Sequence, residues 1–189
     1  MTWYIIVGLV AGSMLVPAGA IQPRPLKASA SSGLVGLKGG LYSRSQFKGD
    51  SVSFRTQVGS SAQLFADFSL FDKFYVTTAF DFYYVQIVND NQIMLEPSLG
   101  LKRIVDIGFR NTRFKPGLAF GYARLARINA LRPSGYWTFK AMLETHFTIN
   151  RKRTWLFELA VFKTLHGGNG DYDLEFGPVY LARFGFSWR

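Results

Sequence analysis

Long stretches of this chain alternate apolar and polar residues with a period of two. The apolar set runs Val76, Phe80, Phe82, Tyr84, then Ile93, Leu95, Leu99, Leu101, then Phe139, Leu143, Phe147, then Phe157, Leu159, Val161, and last Tyr180, Phe184, Phe186, Trp188. Shorter versions occur around Leu64–Leu70 and Leu118–Tyr122, and a Gly-rich one carries Val35, Leu37 and Leu41. A period of two belongs to a pleated strand, whose successive side chains point to opposite faces. That makes eight strands. Ordinary strands average about 5–6 residues, whereas one that crosses a bilayer needs about 9–11. The runs here have the second length.

The links between runs alternate too. Residues 71–73, 110–113 and 150–153 are short connections, and 44–59, 88–92, 126–135 and 167–177 are mostly longer. Short periplasmic turns alternating with longer extracellular loops are the habit of outer-membrane barrels. The expected fold is therefore all-β: a single eight-stranded antiparallel up-and-down transmembrane β-barrel. Composition agrees. Charged residues are 18%, below the roughly 25% of soluble domains. Nineteen Gly and 18 Phe replace the Ala, Glu and Lys of long helices. With no Cys, disulfide scaffolds and cysteine metal sites are excluded.

Residues 3–20 are nearly all apolar or small and end in Pro17-Ala18-Gly19-Ala20, a small-x-small site. The expected organisation is a signal peptide at 1–20, a Pro- and Ser-rich segment at 21–32 and the barrel at 33–189. No Lys or Arg precedes the apolar run, so an uncleaved membrane anchor is the alternative.

The net charge is +10, yet no basic helix, zinc motif or RNA-binding motif accompanies it, so no nucleic-acid partner is expected. The acids are patterned instead. Asp67, Asp81, Glu96, Asp106, Glu144 and Glu158 all have the parity opposite to the apolar stripe. Lys38, Lys102, Lys140, Arg183 and His146 share it, and Arg103 is an outward exception. An eight-stranded barrel has an interior just wide enough for side chains. Buried charges must be paired, so these residues are expected to form a lumen charge network that holds the barrel shut. A narrow ion path through the same lumen is the alternative. Aromatics gather near strand ends, with Tyr83, Tyr84, Tyr122, Tyr136 and Trp137 toward the loops. Phe71, Phe74, Phe109, Phe114, Phe147, Trp155, Phe186 and Trp188 lie toward the turns, which suggests two interfacial girdles.

On this pattern the mature chain resembles the small eight-stranded outer-membrane barrels of Gram-negative bacteria. The resemblance implies a multi-pass barrel in the bacterial outer membrane, among outer-membrane lipid and lipopolysaccharide. The last strand, Tyr180 to Trp188, resembles the terminal signal read by the barrel-assembly machinery, though it ends Trp188-Arg189. That machinery is the partner implied during biogenesis.

A narrower likeness lies in Thr164-Leu165-His166-Gly167-Gly168-Asn169. It resembles the His-x-Ser-Asn motif of the lipid A deacylase family, with Gly168 where the nucleophilic Ser would stand. His166 matches the general base and Asn169 the motif's Asn. Glu175 lies downstream, where the family's orienting Glu is found, and Thr164 is the nearest hydroxyl. Without a hydroxyl or thiol at 168 there is no nucleophile to activate.

The expected function is thus a non-catalytic barrel with a closed charged lumen and a structural or interaction role at the cell surface. A deacylase-like lipid A hydrolase and a narrow pore are the alternatives. No cofactor and no metal are expected, since the two His, His146 and His166, show no ligand spacing. Arg124, Arg127, Arg132 and Lys163 cluster at the loop ends, and Arg can hold phosphate in bidentate fashion, so lipid phosphate docking is expected there, with a solvated rim as the alternative. Arg151, Lys152 and Arg153 read as a polar hairpin turn.

Overall fold

The structure, a computed structural model, describes residues 33–48, 53–71, 73–87, 90–106, 108, 111–125, 135–149, 153–167 and 175–188. The expected signal peptide and the Pro- and Ser-rich segment lie outside the described residues.

Eight long strands form one closed antiparallel barrel: β1 (Leu34–Tyr42), β4 (Gly59–Phe71), β5 (Phe74–Ile87), β6 (Asp90–Arg103), β7 (Thr112–Leu125), β8 (Gly135–Thr148), β9 (Arg153–Gly167) and β11 (Val179–Trp188). Each pairs with its neighbours along the chain. The seam closes where β1 meets β11, from Val35 opposite Trp188 to Tyr42 opposite Leu181. Among the described residues there is no helix.

The pleat sets an inside and an outside. Along β11 burial alternates without a break, with Ala182, Phe184 and Phe186 outside and Leu181, Arg183 and Gly185 inside. Leu99, Phe120, Trp137 and Phe184 are more than half exposed on the outer wall, while Asp81, Glu96, Glu144 and Glu158 are fully buried. Apolar side chains outside and charges inside invert the order of a soluble barrel, and only lipid makes that order favourable. Small residues then make room for long ones in the lumen. A Cβ added at Gly121 would meet Glu96 Oε1 at 2.7 Å, and one at Gly117 would meet Lys102 Cγ at 2.8 Å.

Three short strands lie outside the barrel. β2 (Gln46–Lys48), β3 (Ser53–Arg55) and β10 (Glu175–Phe176) make a separate sheet in the order β10-β2-β3. It joins the first long loop to the last, where plain loops were expected. Elements of two or three residues carry no readable period.

Two links also differ from expectation. At the loop end β5 and β6 are separated only by residues 88–89, a tight connection rather than a longer loop. At the turn end the β6–β7 link spans 104–111, because pairing stops at Arg103 and resumes as a single bridge between Val105 and Phe114.

Candidate functional site

The turn-side half of the lumen is a layer of paired charges. Asp67, Asp81, Glu96, Glu144 and Glu158 face Lys38, Lys102, Lys115, Lys140 and Arg183, five against five, all buried. Glu144 is held by Lys38 and, at 2.8 Å, by Lys102. Lys38 reaches on to Glu158 at 2.5 Å, and Glu158 accepts from Arg183 Nε at 2.7 Å. Arg183 also binds Asp81, which takes a further bond from Lys140 at 2.8 Å and contacts from Gln63 Nε2 at 3.0 Å. Lys102 and Lys115 share Asp67 at 2.9 and 3.2 Å. The Phe65 ring meets two cations, with Lys38 Nζ 4.4 Å and Lys102 Nζ 4.9 Å from its centroid. The strands explain the meeting. Their side chains converge on one axis, and the stagger of a closed barrel brings distant rungs to one height.

The loop-side half is apolar. Tyr42, Tyr83, Val85, Met94, Leu125, Tyr136, Phe162, Val179 and Leu181 form one buried cluster with Phe176. Tyr83 belongs to both halves: its hydroxyl donates to Glu96 at 2.8 Å while its ring stacks on Phe162 at 5.3 Å. Phe176, carried by β10, packs edge-on against Phe162 at 5.5 Å and closes the mouth. Thr164 fixes it there. The hydroxyl accepts from the Phe176 N–H at 2.7 Å and donates to the Phe176 carbonyl at 3.1 Å.

The lumen positions expected from parity are all found inside except one. Asp106 is corrected to the outside. Its strand has already ended at Arg103, and its carboxylate is 55% exposed, 3.6 Å from the equally wet Lys73. Lys115 takes a place in the network that the sequence reading missed. It lies three residues before the Leu118–Tyr122 run, and carrying that run's inward parity back through Gly117 reaches it. His146 sits at the turn-side edge, 2.9 Å from Glu144 Oε2. Arg103, outward by parity, is nonetheless buried, with its guanidinium 5.5 Å from the Phe74 ring. Tyr83 and Tyr136, expected in the loop-side girdle, are buried in the lumen instead. Phe109 lies outside the described residues.

Of the hydrolase candidates, Thr164 and His166 lie on β9 and Glu175 on β10. The β8–β9 register shifts between Trp137 and Thr138, so that Trp137 pairs with His166 but Thr138 pairs with Thr164. The even spacing that would set Thr164 beside His166 on one face is therefore broken at Leu165. Glu175 belongs to β10, opposite Lys48. Gly168 and Asn169 lie outside the described residues, as do Arg127 and Arg132 of the loop-end cluster. Arg124 is exposed on the outward face of β7, and Lys163 is half-buried on β9. Near them Tyr122 and Trp137 meet edge to face at 5.3 Å. Among the described residues no group of His, Cys, Asp or Glu has the arrangement of a metal site.

No protein-family model matches the chain, and no curated protein is similar to it in sequence. Its fold is similar to the crystal structure of Neisserial surface protein A (NspA), with a TM-score of 0.60 and 7% identity over 82% of this chain and 96% of that one. A weaker likeness, with a TM-score of 0.45 and 10% identity, is to Ail, the attachment invasion locus protein of Yersinia pestis, over 82% of this chain and 99% of that one. At such identity the likeness is one of fold. A closed antiparallel barrel with an apolar outer wall is an outer-membrane barrel, and the chain is placed there by its own surface.

Proposed function

We propose that this protein is a non-catalytic outer-membrane barrel with a structural or interaction role, working through its surface rather than its lumen. One observation carries the reading: both halves of the lumen are lined by buried side chains that pair or pack with one another. Five acids neutralise five bases in one half, and an aromatic cluster closed by Phe176 fills the other. Ion pairs of this closeness favour a closed wall over a conducting path, since a permeating ion would have to displace partners already satisfied.

The same geometry speaks against the lipid A hydrolase. The Thr164 hydroxyl is buried and engaged at both ends by the Phe176 backbone, so it is not free to attack an ester. At the loop end, the outward Arg124 and the half-buried Lys163 support docking of lipopolysaccharide phosphates near the Tyr122–Trp137 pair. The test has two arms. Purified protein in planar bilayers should give no single-channel steps, and lipid A mass spectra from cells with and without the protein should coincide. Steady conductance would favour the pore. Deacylated lipid A that vanishes in both His166→Ala and Thr164→Ala would favour the hydrolase.

A further inference from the structure

The ladder between β6 and β7 has a gap. It pairs Met94 with Leu125 and Leu95 with Arg124, then resumes with Ser98 opposite Gly121. Between these pairs stand Glu96 and Pro97 on β6, and Tyr122 and Ala123 on β7. On its other side β6 pairs with β5 without a break, Pro97 lying opposite Phe80. Proline has no N–H, so an unbroken ladder on that side means that Pro97 turns its backbone groups toward β7. Its carbonyl does lie there, since a Cβ added at Gly121 would meet it at 2.9 Å. By register the residue facing Pro97 is Tyr122, whose carbonyl therefore receives no hydrogen bond from β6.

The gap opens toward lipid. Pro97 is exposed on the outer wall. The Tyr122 ring leans the other way, toward β8. It meets Trp137 edge to face at 5.3 Å, and a Cβ added at Gly135 would collide with its hydroxyl, so the ring does not cover the β6 side. Tyr122 lies three residues before the end of β7, and rings such as Tyr122 and Trp137 settle at the headgroup level of a bilayer. The carbonyl is thus at the depth where acyl chains join their headgroup, with little water to satisfy it. Arg124, exposed on the same outward face, stands roughly 7 Å further toward the loops.

We propose that this gap makes the loop-end docking selective: the Tyr122 carbonyl accepts a hydrogen bond from an amide N–H or hydroxyl at the acyl linkage of a lipid whose phosphate Arg124 holds. The inference rests on the phosphate docking at Arg124 put forward above. The chemistry chooses among anionic lipids. An amide-linked, hydroxylated acyl chain, as lipid A carries, brings a donor to this depth. A glycerophospholipid has only ester oxygens there and would leave the carbonyl bare. Pro97 is then a specificity-determining residue through the hydrogen it lacks.

Native mass spectrometry of the full chain released from detergent tests this with two lipids matched in their phosphate monoester. Ceramide phosphate has an amide N–H and a hydroxyl at the linkage, and phosphatidic acid has esters alone. Offered in competition, ceramide phosphate should be retained about fivefold better by the unaltered protein, the worth of one hydrogen bond. P97A supplies the missing N–H, closes the ladder and should abolish that preference. R124Q should weaken retention of both lipids and keep their ratio. Equal retention of the two lipids by the unaltered protein would overturn the proposal, even if P97A fails to fold. So would an undiminished preference in folded P97A. A preference that P97A abolishes, together with retention that R124Q leaves unchanged, would support the carbonyl acceptor and overturn the phosphate docking at Arg124.

Discussion

The two halves of the lumen fill the same width by opposite means. Toward the turns, ten charges are fixed by specific distances, and most belong to more than one pair: Lys38 serves Glu144 and Glu158, and Arg183 serves Glu158 and Asp81. Toward the loops, rings and aliphatic chains pack with few directional bonds. Dispersion and burial depend on volume and tolerate small changes of shape, whereas a buried charge depends on its partner being in place. The lower half should therefore be exacting and the upper half forgiving.

The largest expected effect is in the charged half. Glu144→Leu takes one of two carboxylates from both Lys38 and Lys102, leaving five buried cations against four acids, and His146 loses its bond to Glu144. Removing one partner of a buried pair costs about 3–5 kcal/mol. Urea unfolding in detergent micelles should show a loss of that order. An unchanged midpoint would mean that water already solvates the lower lumen, and the contrast between the halves would collapse.

Phe162→Leu probes the apolar half with a change that keeps the residue hydrophobic. It removes the stack on Tyr83 and the edge contact with Phe176 but leaves no polar group bare. A near volume-conserving swap in a core costs less than about 1.5 kcal/mol. A loss in the same urea experiment as large as that of Glu144→Leu would make the upper half equally exacting.

The smallest global effect belongs to the cap. Thr164→Val deletes two hydrogen bonds to Phe176, each worth about 1 kcal/mol at most to the cap alone. The barrel's unfolding midpoint should hardly move. The Phe176 amide, which loses its acceptor, should exchange with solvent several-fold faster by hydrogen–deuterium mass spectrometry. A large drop in global stability would show that cap and barrel unfold as one unit.

Parity carried the sequence reading where strands are long. Lys38, Asp81, Glu158 and Arg183 could be placed inside because a one-residue slip would put them in lipid. It failed where strands begin or end. Asp106 keeps the inward parity although pairing has already stopped at Arg103, and Lys115 precedes the readable Leu118–Tyr122 run. Partners were beyond reach for another reason: they depend on the stagger of the closed barrel, and no local pattern encodes it. The same holds for Phe176, whose two-residue strand sits after a Gly- and Asp-rich stretch with no period of its own.

The seam between β1 and β11 gives the lumen network a place in the order of assembly. The seam joins the first and last strands of the barrel, so its formation carries the largest loop-closure entropy in the molecule. Lys38 sits on β1, and its two carboxylates are 106 and 120 residues further along the chain, on β8 and β9. Until the ends meet, Glu144 and Glu158 lack this cation, and it lacks them. Zipping of the last interface and neutralisation of the interior therefore happen in one step. An open, half-made sheet keeps unsatisfied charges that hold it out of the hydrocarbon, and only the finished ring is fit to stay there.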